Sequence, residues 1–148
     1  KIPIMHPYPH RYEVCARTSP SANVQLDSPD LPALESAAPR EFDGPGDRWS
    51  PETLLVAAVA DCFVLSFKAV ASASKFDWLR LECAVAGRLD RVERVAQFTQ
   101  FDLTARLVIP AGADRGRAQQ LLEKSKQICL VSNSLKAPCH LQTEITGG

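Results

Sequence analysis

Long apolar runs and basic stretches are both scarce in this sequence of 148 residues. Its 17 Lys and Arg residues balance 17 Asp and Glu residues, and no basic run forms a stripe that could neutralise phosphates. We therefore expect no nucleic-acid partner. The longest apolar run, residues 54–60, ends at Asp61, and Lys68 interrupts the next, so neither reaches the ~20 residues that a bilayer requires. We also expect no membrane association.

Cysteine and histidine are too few and too scattered to predict a disulfide framework or a metal site. The five cysteines form no Cys-x-x-Cys pair, and their odd number is untypical of small secreted disulfide proteins. A zinc site is an alternative, but His6 and His10 lie in a proline-rich arm and His140 lies far away in a predicted strand. We expect reduced thiols, a cytoplasmic location and no metal.

The length favours a single domain, residues 1–148. Eight of the 11 prolines fall within the first 50 residues, which excludes long helices there and leaves room for short strands. Alternation around Val14 and around Val24 predicts a loose hairpin, and residues 29–46 are expected to be mostly connection. We interpret residues 1–49 as an arm of strands and residues 50–148 as the helix-strand core.

A long helix is predicted to begin at Ser50, which can cap it, with Pro51 and Glu52 suited to its first turn. Between residues 54 and 73 the clearly polar side chains are only Asp61, Ser66, Lys68 and Ser72. A helix that is apolar nearly all round must be buried on most sides. One chain of this size can scarcely surround it, so we infer that a second subunit covers part of it.

The rest of the chain predicts two paired strands, an amphipathic helix and a last strand. Apolar residues alternate with polar ones over residues 79–89 and again over residues 101–109, with residues 91–97 as the hairpin connection. Residues 114–127 carry apolar side chains at helical spacing, and a turn over residues 129–135 follows. In the last strand Cys139, Leu141, Thr143 and Ile145 share a face. This order predicts an α+β domain with segregated layers.

Position ranks the five thiols, because a reachable thiolate is a nucleophile whereas a buried cysteine behaves as a small hydrophobe. Cys83 and Cys139 fall on the dry faces of predicted strands, which is typical of core packing. Cys15 lies on an early strand with no predictable partner. Cys62 lies within the apolar helix and Cys129 where the amphipathic helix ends. Position alone leaves the roles of these two open and favours burial for Cys62.

Four blocks of sequence between about residues 39 and 145, in order and at matching spacing, resemble the OsmC/Ohr family (osmotically inducible protein C-like and organic hydroperoxide resistance proteins). They are Glu41-Phe42-Asp43-Gly44-Pro45-Gly46, Trp49-Ser50-Pro51-Glu52-Thr53-Leu54-Leu55, Ala60-Asp61-Cys62-Phe63 and Cys129-Leu130-Val131-Ser132-Asn133-Ser134. The resemblance implies an OsmC-like fold, with antiparallel sheets wrapped around a long buried central helix in an intertwined homodimer. It also implies an antioxidant thiol peroxidase of the oxidative stress response, with its site at the dimer interface.

The resemblance further implies roles for three residues. Cys62 would reduce an organic hydroperoxide, and its sulfenic acid would condense with Cys129 to a disulfide. An external dithiol, possibly lipoyl, would reduce that disulfide, and no metal, haem or flavin cofactor is required. Glu52 would hold an activating arginine. Because Glu52 and Cys62 lie ten positions apart, a rise of ~15 Å along one helix, we expect Glu52 of one subunit to serve Cys62 of the other.

The activating arginine is where the sequence departs from the family pattern. The family carries it in a glycine-rich turn between the first strands, whereas residues 16–23 contain no glycine. Arg17, Arg40 and Arg48 remain candidates for the activating residue. The subfamily also stays open between Ohr, OsmC and another OsmC-like group. The departure favours an alternative function, a non-catalytic binding module that holds a lipid-like ligand at the dimer interface.

Overall fold

The computed structural model describes residues 6–148. The chain divides into two compact units, Lys1–Thr53 and Leu54–Gly148. The boundary lies four residues beyond the predicted division between arm and core. That the two units fold as a single domain stays a prediction.

The first unit contains a three-stranded antiparallel sheet of β1 (Cys15–Arg17), β2 (Val24–Asp27) and β3 (Leu34–Ser36), in that order. β1 and β2 form the predicted hairpin. β3 is an addition to the prediction, which treated residues 29–46 as mostly connection; three residues between prolines are too short for a periodic signal. A short 3-10 helix, Arg40–Phe42, follows β3.

The long helix α1 (Pro51–Ala73) begins where the sequence predicts. The Thr53 N–H donates to the Ser50 hydroxyl oxygen at 3.1 Å, and the Ser50 N–H donates to Thr53 Oγ1 at 2.9 Å. This reciprocal pair satisfies donors that a helix end leaves free. Residues on one face of the helix are fully buried within the chain, whereas Leu65 on another face is 55% exposed. The second subunit predicted to cover that face stays a prediction.

The length of α1 corrects one expectation. We expected no segment to reach the size of a membrane span, yet this helix is long and apolar enough to cross a bilayer by length and composition. Asp61 and Lys68 are too few to offset the apolar residues around them. The core helix of a soluble protein can have the same length and composition, but only 28% of the apolar stretch of α1 is buried within the chain, including Phe63 and Phe67.

The second unit is built on a sheet of β4 (Arg80–Val92), β5 (Val95–Ile109) and β6 (Cys139–Gly147), ordered β4-β5-β6. β4 and β5 are antiparallel, as predicted, but β6 pairs with β5 in parallel. The expectation of wholly antiparallel sheets is therefore wrong for this pair. The helices between β5 and β6 form the crossover that a parallel connection needs.

The hairpin between β4 and β5 is tighter than predicted. Val92 pairs with Val95, so only Glu93 and Arg94 form the turn, not residues 91–97. Both turn residues have positive φ, 50° and 71°, which matches the tight turn that suits twisted strands. Residues 93–94 are neither Asn-Gly nor Asp-Gly, the pairs that would have predicted this turn.

Two further helices complete the second unit. α2 (Arg115–Ile128) begins at Asp114, whose carboxylate accepts a hydrogen bond from the Arg117 N–H at 3.1 Å. The prediction of its buried face is confirmed at Ala118, Leu121, Leu122 and Ser125. The predicted turn after it contains a one-turn helix, α3 (Leu130–Asn133).

The core of the second unit lies between its sheet and its helices. The inward face of β5 is at most 2% exposed and consists of Phe101, Leu103, Ala105, Leu107 and Ile109, as predicted. Gly87 lets α1 approach β4 closely, because a Cβ atom there would lie 2.9 Å from Val56 Cγ2. The predicted α+β class is confirmed, and the sheet holds α1 and the α2–α3 junction on one side.

Candidate active site

The structure brings Cys62 and Cys129 together. Cys62 lies half-buried near the middle of α1, and Cys129 is the fully buried residue that ends α2 and precedes α3. All five cysteines are free thiols, and Cys129 is near enough to Cys62 to raise the pKa of its thiol. The sequence places these residues on separate elements, and packing of the helices over one sheet makes them neighbours.

The surroundings of Cys62 disfavour its thiolate. Burial raises the pKa of the Cys62 thiol, and the neighbouring Cys129 raises it further. Hydrogen bonds from the backbone of Val131, at the start of α3, and from the Ser66 hydroxyl act in the opposite direction and lower that pKa. The net direction is upward, so activation of Cys62 needs a positive charge in addition to these two donors.

Ser66 is a site residue that we did not single out from the sequence. It follows Cys62 by four positions on α1, and residues four apart share a face of a helix. A serine four positions after a candidate cysteine in a predicted helix could therefore have been identified from the sequence as its neighbour. The contact from Val131 had no such signal, because it depends on how α3 packs against α1.

The remaining thiols are placed much as predicted. Cys83 and Cys139 are part-buried and pack against the core, and Cys15 is exposed. Burial and the nearby Cys129 raise the pKa of Cys83 to about 11. Burial also raises the pKa of Cys139, which the charge of Lys126 lowers and that of Cys129 raises. Three thiols therefore lie within electrostatic reach of Cys129.

Glu52 lies in the first turn of α1. Its Oε1 atom is buried and has no hydrogen-bond partner among residues 6–148. Buried carboxylate oxygens are nearly always hydrogen-bonded, because desolvation without a partner is costly. The atom is therefore suited to receive a donor from another molecule. Its predicted role towards Cys62 of a second subunit stays a prediction.

The three candidate arginines lie in the first unit. Arg17 forms an exposed ion pair with Asp27 at 3.2 Å, and Arg48 pairs with Glu35 at 2.8 Å. Arg40 belongs to the 3-10 helix. Within Leu54–Gly148, no lysine or arginine lowers the pKa of Cys62. Which arginine activates the thiol stays open.

Residues 6–148 offer no arrangement of side chains typical of a metal site. That part of the chain holds no group of three or more His, Cys, Asp or Glu side chains that could hold a metal ion. His10 Nε2 lies 2.9 Å from the carbonyl oxygen of His6, within the arm. The site contains two thiols and two hydrogen-bond donors, and sulfur-based redox chemistry is what such a set can perform.

Comparisons with known proteins identify relatives of this chain. A family model described as OsmC-like protein matches residues 44–144. An organic hydroperoxide resistance protein from Xanthomonas axonopodis pv. citri is 34% identical over 104 residues, covering 68% of this chain and 69% of that protein. The uncharacterized protein YmaD from Bacillus subtilis is 25% identical over 109 residues, covering 72% and 73% respectively.

Among solved structures, an OsmC-like protein of unknown function from Vibrio cholerae has the same fold. Its TM-score is 0.79 at 15% sequence identity, and the match covers 93% of this chain and 99% of that one. The matched family model spans more than half of the chain and includes both Cys62 and Cys129. This chain therefore belongs to the OsmC-like family.

Proposed function

We propose that this protein is a thiol-dependent peroxidase that reduces organic hydroperoxides to alcohols. The observation that carries the proposal is the contact between Cys62 and Cys129, on two elements distant in sequence. A relative named as an organic hydroperoxide resistance protein supports the same chemistry.

The covalent steps of the reaction involve the two thiols, the substrate and an external dithiol. The Cys62 thiolate attacks one peroxide oxygen, the O–O bond breaks, and the leaving alkoxide takes a proton to become an alcohol. Cys62 is left as a sulfenic acid. The Cys129 sulfur then attacks the Cys62 sulfur and releases water, which yields the Cys62–Cys129 disulfide. An external dithiol, possibly lipoyl, returns both residues to thiols by exchange.

Activation of Cys62 is the step that one chain does not complete. Burial raises the pKa of its thiol, and the donors at Ser66 and Val131 only partly oppose this. In the proposed homodimer, the buried and unpartnered Oε1 of Glu52 would hold an arginine over Cys62 of the other subunit. The exposed Leu65 on α1 supports a second subunit at this helix.

The proposed substrates are hydroperoxides with a fatty or aryl body. Leu65, an exposed residue three positions after Cys62 on α1, is apolar. Apolar surroundings desolvate an apolar substrate more readily than hydrogen peroxide. The reduced thiols are in keeping with a cytoplasmic location.

The test is a thiol count during a single turnover. The reduced protein is mixed with cumene hydroperoxide, quenched over seconds by alkylation, and mapped by mass spectrometry. We expect Cys62 to lose its thiol within seconds in a reaction that consumes Cys129. Cys62→Ser should abolish the oxidation of Cys129, whereas Cys15→Ser, at an exposed thiol of the first unit, should leave the oxidation of Cys62 and Cys129 unchanged. Unreactive Cys62 under excess peroxide would contradict the proposal.

One observation favours a second candidate function, a non-catalytic module that binds a lipid-like ligand. Within Leu54–Gly148 nothing cationic offsets the raised pKa of Cys62, so its thiol would be unreactive if no arginine reached it. Native mass spectrometry of the purified protein distinguishes the two. Unreactive thiols together with a retained apolar ligand would support the module.

A further inference from the structure

Contacts between α2 and β6 determine which residues of these elements are neighbours. At one end, Arg115 Nη1 donates to the carbonyl oxygen of Gly147 at 2.7 Å. Further along, Thr143 Oγ1 donates to Gln119 Oε1 at 2.7 Å. Residue numbers increase along the helix as they decrease along the strand, so the two elements run antiparallel.

The same geometry places the end of α2, where Cys129 lies, towards the start of β6, where Cys139 lies. From Gln119 to Cys129 the helix advances by ~15 Å over ten residues. From Thr143 back to Cys139 the strand covers ~13 Å over four residues. The end of α2 therefore lies beside the start of β6, and the influence of Cys129 on the pKa of Cys139 agrees with this placement.

Cys129 and Cys139 differ in their access to solvent. Cys129 has no exposed surface, whereas Cys139 is only part-buried. Cys139 lines an open groove of about 450 Å³ between α2 and β6, together with Lys126, Gln127 and His140. A dithiol in solvent can approach Cys139 through this groove. Burial raises the pKa of the Cys139 thiol, and the charge of Lys126 opposes part of that rise.

We propose that Cys139 is a third redox-active thiol, which takes over the disulfide from Cys62 and presents it to the reductant in the groove between α2 and β6. This inference rests on the proposed peroxidase function. Neither sequence position nor the two-cysteine mechanism assigns Cys139 such a role, since its strand face predicted core packing.

The relay is a thiol-disulfide exchange with no net oxidation. The Cys139 thiolate attacks Cys129 Sγ, the Cys62–Cys129 bond breaks, and its electron pair leaves with Cys62. The proton that Cys139 gave up is balanced by the proton that Cys62 takes. The product is a Cys129–Cys139 disulfide and a free Cys62 thiol, and an external dithiol then attacks Cys139 Sγ from the groove.

A measurable consequence is the number of hydroperoxide equivalents that one chain consumes without reductant. Without the relay, the chain stops after one equivalent, with Cys62 and Cys129 joined. With the relay, the freed Cys62 reacts a second time and stays as a sulfenic acid, because Cys129 is already oxidised. The consumption is then twofold higher.

The experiment titrates reduced, reductant-free protein with cumene hydroperoxide and maps its disulfides by mass spectrometry after an acid quench. Dimedone added with the second equivalent traps a sulfenic acid at Cys62. We expect a Cys129–Cys139 disulfide and consumption of two equivalents in the wild type. Cys139→Ser should give only Cys62–Cys129 and halve the consumption. Cys83→Ser, a matched change at another part-buried strand thiol, should behave as the wild type.

The outcomes separate the relay from the function on which it rests. A wild type that accumulates only Cys62–Cys129, with Cys139 open to alkylation, would overturn the relay and leave the peroxidase intact. A wild type in which Cys62 never oxidises would overturn both. The wild-type disulfide map decides the question even if the Cys139→Ser chain fails to fold.

Discussion

At the scale of single residues, the chemistry of Cys62 depends on its neighbours Cys129 and Ser66, which act on the pKa of its thiol in opposite directions. The strand faces of Cys83 and Cys139 were predictable, because side chains two positions apart lie on the same face of a strand and the residues two positions away are apolar. The i and i+4 spacing also made Ser66 a discoverable neighbour of Cys62. The partnership of Cys62 with Cys129 followed only from the family resemblance, since it depends on helices that pack together across one sheet. Chemistry at this site therefore depends on contacts that no local pattern encodes.

A change at Ser66 tests the local control of Cys62. Ser66→Ala removes a hydrogen bond that lowers the pKa of the Cys62 thiol, so that pKa should rise further. The thiolate fraction falls at every pH below the new pKa. The alkylation rate of Cys62, followed by mass spectrometry from pH 6 to 10, should shift to higher pH and drop several-fold at neutral pH.

Ser72→Ala is the matched control for this experiment, because Ser72 is an exposed serine on the same helix. It should leave the pH profile in place, and Ser66→Thr, which keeps a hydroxyl, should restore most of the rate. An equal shift for the two alanine variants would show that helix stability, not the hydroxyl of Ser66, sets the pKa of Cys62.

At the scale of elements, long periodic segments were predicted well and short or non-local ones were not. α1 and α2 have clear end signals and a continuous apolar pattern, and their predicted starts are confirmed. β3 has three residues, and α3 has four, which is too short for a periodic signal. The parallel pairing of β6 with β5 is a property of the crossover, so alternation along β6 alone could not reveal it.

The cap of α1 provides a prediction at this scale. Ser50 is 1% exposed, and its hydroxyl and backbone both bond to Thr53, in the turn that carries Glu52. Ser50→Ala should lower the free energy of unfolding by about 1 kcal/mol, and up to about 2, because a helix N–H loses its acceptor. Urea denaturation measures this change. Ser72→Ala on the same helix should change it by less than about 0.5 kcal/mol, as for other surface sites.

For the whole molecule, the decisive question is whether one subunit completes the site of another. The apolar pattern of α1 predicted that a single chain could not cover this helix, and the chain indeed leaves Leu65 exposed. Glu52 likewise has a buried oxygen without a partner among residues 6–148. Both features have the same explanation in the proposed homodimer, in which the partner covers α1 and receives the carboxylate.

Mixed dimers test this explanation. Glu52→Gln and Cys62→Ser should each reduce peroxidase activity by more than about tenfold when alone, the first because a raised thiol pKa costs tenfold per unit. If Glu52 serves the other subunit, a dimer of the two variants holds one intact site, formed by Glu52 of the Cys62→Ser chain and Cys62 of the Glu52→Gln chain. Unfolding and refolding an equal mixture should then restore about a quarter of wild-type activity, since half of the dimers are mixed and each has one site of two. A mixture with no more activity than its separate components would show that Glu52 acts within its own chain, because no mixed dimer would then contain an intact site.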